Sequence, residues 1–165
     1  MSRGFVKEDD QEETPIIPPR AALPEGVTNY ITPFGLQLLL TEKENIEEER
    51  ANLNVQDEQE RRRDLAVING RLTLLQERVA SARVLQPHDQ VKDEVRFAAT
   101  VIIKMNKQVQ EFQIVGVDEA DVKQQKIAFI APIARVITGK KVGDQVDFQL
   151  GNDIRKIEIV EISYR

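Results

Sequence analysis

The 165-residue sequence has no cysteine, no tryptophan, a single histidine and only 5% aromatic residues. Without thiols there is no disulfide, no zinc–thiolate site and no cysteine nucleophile. His88, set in Leu85-Gln86-Pro87-His88-Asp89, has no triad or ligand partner and reads as an exposed linker residue. No apolar run approaches the ~20 residues of a membrane span, and the opening MSRGFVKEDDQEE lacks the apolar core of a secretory leader. The expected compartment is the cytoplasm. Phosphate-binding glycine loops are missing as well. The nearest candidate, Gly139-Lys140-Lys141-Val142-Gly143-Asp144, has the wrong spacing and reads as a tight connection ahead of a strand. A self-contained enzyme is therefore not expected, and neither is a bound cofactor.

The net charge of −5 argues against a nucleic-acid binder, which selects a basic domain or a dense basic face, and favours a protein partner. The acidic excess lies toward the N-terminal half. Residues 1–30 hold six acids against three bases, whereas residues 85–165 hold twelve of each.

Three segments follow one another. Residues 1–31 combine an acidic run (Glu8, Asp9, Asp10, Glu12, Glu13) with Pro15, Pro18, Pro19 and Pro24, a mixture that buries no core of its own and reads as a flexible or polyproline-like tail. Ile16 and Ile17 leave room for a docking role. At Thr32-Pro33 an N-cap and a first-turn proline open a helical region spanning 32–85. Its second half spaces Leu65, Ile68, Leu72, Leu75, Val79 and Ala82 by alternating threes and fours, the seam of a coiled coil. Leu36, Leu39, Ile46 and Leu53 form a matching stripe, with Lys43 and Arg50 in the remaining seam positions. In an antiparallel hairpin facing residues have a constant index sum. Pairing Leu36 with Ala82, Leu39 with Val79, Ile46 with Leu72 and Leu53 with Leu65 gives 118 each time. That register centres the turn near Gln59 and leaves residues 54–64 as an exposed tip.

Residues 86–165 turn to β-branched and aromatic runs separated by turn residues. Strands are expected over 95–105, 111–117, 126–130, 146–150 and 155–163, with a short helix over 131–139 between Pro132 and Gly139. The predicted class is α+β: an antiparallel helical hairpin followed by a curled antiparallel sheet with one short helix. Pro132, Ile133 and Arg135, on a short connection, suit surface recognition, although Pro132 and Ile133 could equally close the core. At the hairpin tip, Asp57, Glu58 and Glu60 could be presented to a metal held by another molecule, or could simply be a solvated turn beside Arg61, Arg62 and Arg63.

From Thr32 onward the chain resembles the Gre family of bacterial transcription factors. The resemblance is densest in Ile114-Val115-Gly116-Val117-Asp118-Glu119-Ala120-Asp121, in Ala131-Pro132-Ile133-Ala134-Arg135 and in Gly139-Lys140-Lys141-Val142-Gly143-Asp144, in family order and at family-like spacing. It implies an FKBP-like C-terminal domain that docks, as a monomer, on the rim of the RNA polymerase secondary channel, with Asp118, Glu119, Pro132, Ile133, Arg135 and Lys140 as docking residues. Nucleic acid would be met only through the elongation complex, and Mg²⁺ only if shared with the polymerase active centre. Two departures are visible. The family's tip motif, GD-x-x-ENAEY, is missing, and the hairpin is about nine residues shorter per arm, ~14 Å at 1.5 Å per residue. Ala131 also stands where the family usually has Ser. The expectation is occupancy of the channel without transcript cleavage, with cleavage through the tip acids, or an adaptor role toward another protein, as alternatives.

Overall fold

In the computed structural model, which describes residues 13–165, the first helix begins where a side chain is available to cap it. Thr32 is extended, its Oγ1 accepts a hydrogen bond from Gly35 N at 3.1 Å, and Pro33 fills the first turn, where its missing N–H has no partner to lose. Helix α1 runs Pro33–Ala51. Asp57 caps helix α2 (Glu58–Ser81), accepting from Glu60 N at 2.9 Å. The turn is therefore residues 52–57 rather than a loop centred on Gln59, which lies in the first turn of α2. Residues 58–64 carry no seam residue, yet they are helical because the Asp57 cap and the early acids Glu58 and Glu60 favour a helix start there.

Leu39, Ile46, Ile68, Leu72 and Leu75 are buried in one cluster, with Leu36, Leu53, Val79 and Ala82 packed around it. Across the hairpin, Arg71 meets the Glu49 carboxylate at 2.9 and 3.0 Å and Arg50 meets Asn69 at 3.3 Å. Those index sums, 120 and 119, lie within two of the expected value. Lys43 keeps its ammonium at the surface, 3.9 Å from Glu47.

The hairpin's two ends are joined by a small parallel pair, β1 (Tyr30–Ile31) with β2 (Arg83–Val84). Beyond it, strands β3 (Thr100–Met105), β4 (Gln108–Val115), β5 (Lys126–Ala128), β6 (Gln145–Leu150) and β7 (Asp153–Ser163) form a sheet in the order β5-β4-β3-β7-β6. Asn106 and Lys107, with φ of 52° and 65°, make a two-residue hairpin turn. Pairing therefore reaches Met105 and Gln108, and β4 starts earlier than Glu111. The sheet is mixed rather than wholly antiparallel, because β5 pairs parallel to β4. Residues 116–125 cross back from the end of β4, through a 3-10 turn at Val122–Gln124, so that Lys126 enters the sheet beside Gln113. Helix α3 (Pro132–Ile137) buries Ala134 and Ile137 against the core formed by Val101, Ile103, Ile114, Phe148, Ile157 and Ile159.

Candidate functional site

Helix α3 divides its side chains between core and surface. Ala134 and Ile137 are buried, Ile133 packs on the core at half burial, and Pro132 and Arg135 are exposed. Of the two readings of Pro132 and Ile133, packing holds for Ile133 and surface exposure for Pro132. Lys140 is half-buried, and its carbonyl accepts from Val95 N at 2.8 Å, which fixes the loop after α3. Gly139 and Gly143, with φ of +84° and +89°, make the tight connection into β6. Ala131 stands at the N-cap of α3 and offers no side-chain hydrogen bond there.

Beside Arg135 lies a groove of about 550 Å³ lined by Tyr30, Leu85, Phe97, Phe129 and Thr138. Tyr30, Phe97 and Phe129 pack with ring centroids 5.6–5.8 Å apart, mostly edge to face, and form its apolar floor. Among the described residues Arg135 makes no ion pair, whereas Arg96, on the same groove, is held by Glu94 at 2.6 Å. The combination is a free cation next to an aromatic floor, suited to an acidic and apolar protein surface.

Asp118 and Glu119 do not belong to that face. The Asp118 side chain is 4% exposed and is pinned between Arg20 at 3.0 Å and Arg78 at 3.2 Å. Glu119 is buried: its Oε2 accepts from Thr32 N and Gly116 N, both at 3.0 Å, and its Oε1 accepts from the Thr32 hydroxyl. A Cβ at Gly35 would run into the Glu119 carboxylate, and one at Gly116 into the Tyr30 carbonyl, with the Glu119 carboxylate in tight contact beside it. Both acids thus tie the C-terminal domain to the base of the hairpin. Their carboxylates have no surface left to offer a partner.

At the hairpin tip, Asp57, Glu58 and Glu60 are exposed. The Asp57 carboxylate is used as the α2 cap, and among the described residues no three His, Cys, Asp or Glu side chains are grouped to hold a metal. The His88 side chain is 74% exposed in a one-turn 3-10 helix, Pro87–Asp89, and its one ion-pair partner among the described residues is Asp89, 3.5 Å away.

Sequence reasoning missed Arg20. It is the only basic residue among residues 13–31, and that isolation was the available signal. It bridges Glu42 of α1, at 2.7 Å, and Asp118. Its pKa is raised, first by the hydrogen bond to Glu42 and then by the charges of Asp118 and Glu42, against desolvation acting the other way.

Residues 90–164 match the family model described as the C-terminal part of the transcription elongation factors GreA/GreB. A transcription elongation factor GreA of Hyphomonas neptunium is 38% identical over 100 residues, covering 59% of this chain and 64% of that protein. The GreA of Mesorhizobium japonicum is 36% identical, covering 58% and 62%, and that of Neisseria meningitidis 35%, covering 59% and 63%. The chain thus spans just under two thirds of the length of these relatives. Among solved structures, a GreA/GreB factor from Nitrosomonas europaea is 20% identical, covering 84% of this chain and 99% of that one, with a TM-score of 0.40. Over residues 90–164 the chain is therefore similar to the C-terminal part of the GreA/GreB transcription elongation factors.

Proposed function

We propose that the protein regulates elongation by binding RNA polymerase through the face around α3 and laying its hairpin into the secondary channel. The observation that carries this reading is the exposed Arg135, unpaired among the described residues, beside the aromatic groove in the domain that matches the family model. Pro132 and Lys140 flank the same face. The hydrolytic centre would be the polymerase's own, and this chain would act on it by occupying space and by positioning its tip.

Arg135→Glu leaves both hydrophobic cores untouched and should weaken binding to purified polymerase roughly 10- to 100-fold, ~1.4–2.8 kcal/mol, by replacing attraction with like-charge repulsion. Unchanged affinity would remove the face from the proposal. Stalled elongation complexes give the second measurement. With the Asp57 carboxylate spent on the helix cap and Glu58 and Glu60 beside three arginines, backtracked RNA should stay largely uncut when the protein is added. Failure to capture polymerase at all would favour the adaptor reading.

A further inference from the structure

Gly70 stands in the interior of α2, where a glycine costs about 1 kcal/mol relative to alanine and the seam spacing asks for nothing special. The reason lies across from it. A methyl group at Gly70 would overlap the Ile17 side chain, so the missing Cβ is a notch into which Ile17 fits. Ile17 belongs to residues 13–20, which carry no regular secondary structure and include Pro15, Pro18 and Pro19.

The rest of that segment follows α2 in step. Glu13 and Pro15 share a small cleft with Gln59, Arg62, Arg63 and Ala66. Pro18, Pro19 and Ala21 line a second cleft of about 310 Å³ with Glu42, Arg71 and Leu74. The Ala21 carbonyl accepts from Arg78 Nη2 at 2.7 Å. Between Ile17 and Ala21 the segment advances four residues while its helix partners advance eight, from Gly70 to Arg78. Polyproline-like chain rises ~3.1 Å per residue and an α-helix 1.5 Å, so both paths are about 12 Å long. The segment therefore runs parallel to α2 at a matched repeat, and successive contacts fall in register. At its inner end Arg20 joins three parts of the chain: its own segment, Glu42 on α1 and Asp118 in the C-terminal domain, where Arg78 of α2 also binds. Arg20, Arg78 and Asp118 are 17%, 14% and 4% exposed at their side chains, so this cluster is largely out of water, where ion pairs are screened least.

We infer that α2 carries a binding site for an extended, proline-rich segment with Ile and Arg three residues apart, that residues 15–21 fill it in cis, and that filling it latches the hairpin to the C-terminal domain in one orientation. The elements of the site are the Gly70 notch, the Arg78 donor and the Glu42–Asp118 pair of acids.

The test uses the full chain. Gly70→Ala separates the alternatives by sign, because with the segment docked it should lower the melting temperature and speed tryptic cleavage after Arg20, whose guanidinium is held by Glu42 and Asp118. If nothing sits in the notch, the same substitution raises the melting temperature. Gly70→Ala combined with Ile17→Ala should regain part of the loss, since the shorter side chain relieves the overlap. Because the native sequence has no cysteine, spin labels on Asn54→Cys and Lys156→Cys report the hairpin-to-sheet distance without background. Arg20→Glu should broaden or shift that distribution, and Arg20→Gln should do so less, with the helical circular dichroism signal retained in both. A melting temperature raised by Gly70→Ala, or an unaltered distribution in Arg20→Glu, overturns the inference. So does resistance to trypsin after Arg20 that grows with protein concentration, which would place the segment on a second copy.

Discussion

Glu119 gives the sharpest test of how the two parts of the molecule are joined. Its carboxylate takes three hydrogen bonds, two of them from buried backbone N–H groups of Thr32 and Gly116, in a site that a single methyl group at Gly35 would fill. Glu119→Ala removes the acceptor and leaves both N–H groups without a partner and out of reach of solvent. Each orphaned donor costs about 1–3 kcal/mol, so the loss should be roughly 2–6 kcal/mol, a large share of the 5–15 kcal/mol of an ordinary domain. Glu119→Gln should cost less, about 1 kcal/mol, because the amide oxygen can still accept from both N–H groups while Thr32 turns its hydroxyl proton away. Urea unfolding at neutral pH, followed by far-ultraviolet circular dichroism for the hairpin and by Tyr30 fluorescence in a Tyr164→Phe background for the junction, measures both. A Glu119→Ala protein within 1 kcal/mol of the parent would show that the carboxylate is not the tie described above, and the structural account of the Asp118-Glu119 pair would fail with it.

Three further outcomes are expected. Ala131→Ser supplies the missing N-cap of α3 and should stabilise the C-terminal domain by ~0.5–2 kcal/mol in thermal unfolding; no gain would mean that the helix start is not limiting. Ile46→Ala, in the hairpin cluster, should cost about 2–4 kcal/mol, and a value below 1 would place the seam elsewhere. The Tyr164 hydroxyl donates to the Glu94 carbonyl at 2.5 Å and accepts from Arg96 N at 3.0 Å, and burial raises its pKa above the usual 10. A raised pKa means the folded state favours the protonated phenol, so this contribution is complete below pH ~10 and is lost as pH climbs through the higher folded value. Tyr164→Phe should cost ~0.5–1.5 kcal/mol at neutral pH and flatten the alkaline fall in stability.

Legibility in the sequence tracked how local the determinant was. Thr32-Pro33 announces a helix start through its own side chains, and the three-and-four spacing of the seam residues needs only one helix to be read. The index sum of 118 centres the turn near Gln59, whereas Asp57 starts α2 by capping, a local signal that outweighs the lack of a seam residue in residues 58–64. The parallel entry of β5 could not be read from hydrophobic alternation, which is the same for both strand directions. The family resemblance assigns Asp118 and Glu119 to docking, and Asp and Glu are seldom buried unless paired, so their burial needed partners the local sequence does not show. Their partners, Arg20, Arg78 and Thr32, lie 98, 40 and 87 positions away. The signal that remained available was glycine: Gly35, Gly70 and Gly116 each sit where another part of the chain comes closer than a side chain would permit.

The distribution of acids carries the last step. Those at the base of the hairpin, Asp118 and Glu119, are buried and fully engaged, so they fix geometry; those at the tip are exposed, and one of them is spent as a cap. A carboxylate that delivers a metal to a foreign active centre must be free to coordinate within ~2–2.5 Å and must not have its charge offset by neighbours. Here Glu58 and Glu60 meet the first condition, but Arg61, Arg62 and Arg63 follow at once on the same helix. Charge at the tip is therefore close to balanced, while the C-terminal domain keeps on its surface Arg135, unpaired among the described residues. Under the proposed function, that asymmetry favours recognition through the C-terminal domain, with the hairpin acting by its reach and shape. On this reasoning, replacing Glu58 and Glu60 together by Gln should leave polymerase affinity unchanged, whereas Arg135→Glu should reduce it. Equal losses in a binding assay would mean that the tip takes part in recognition after all.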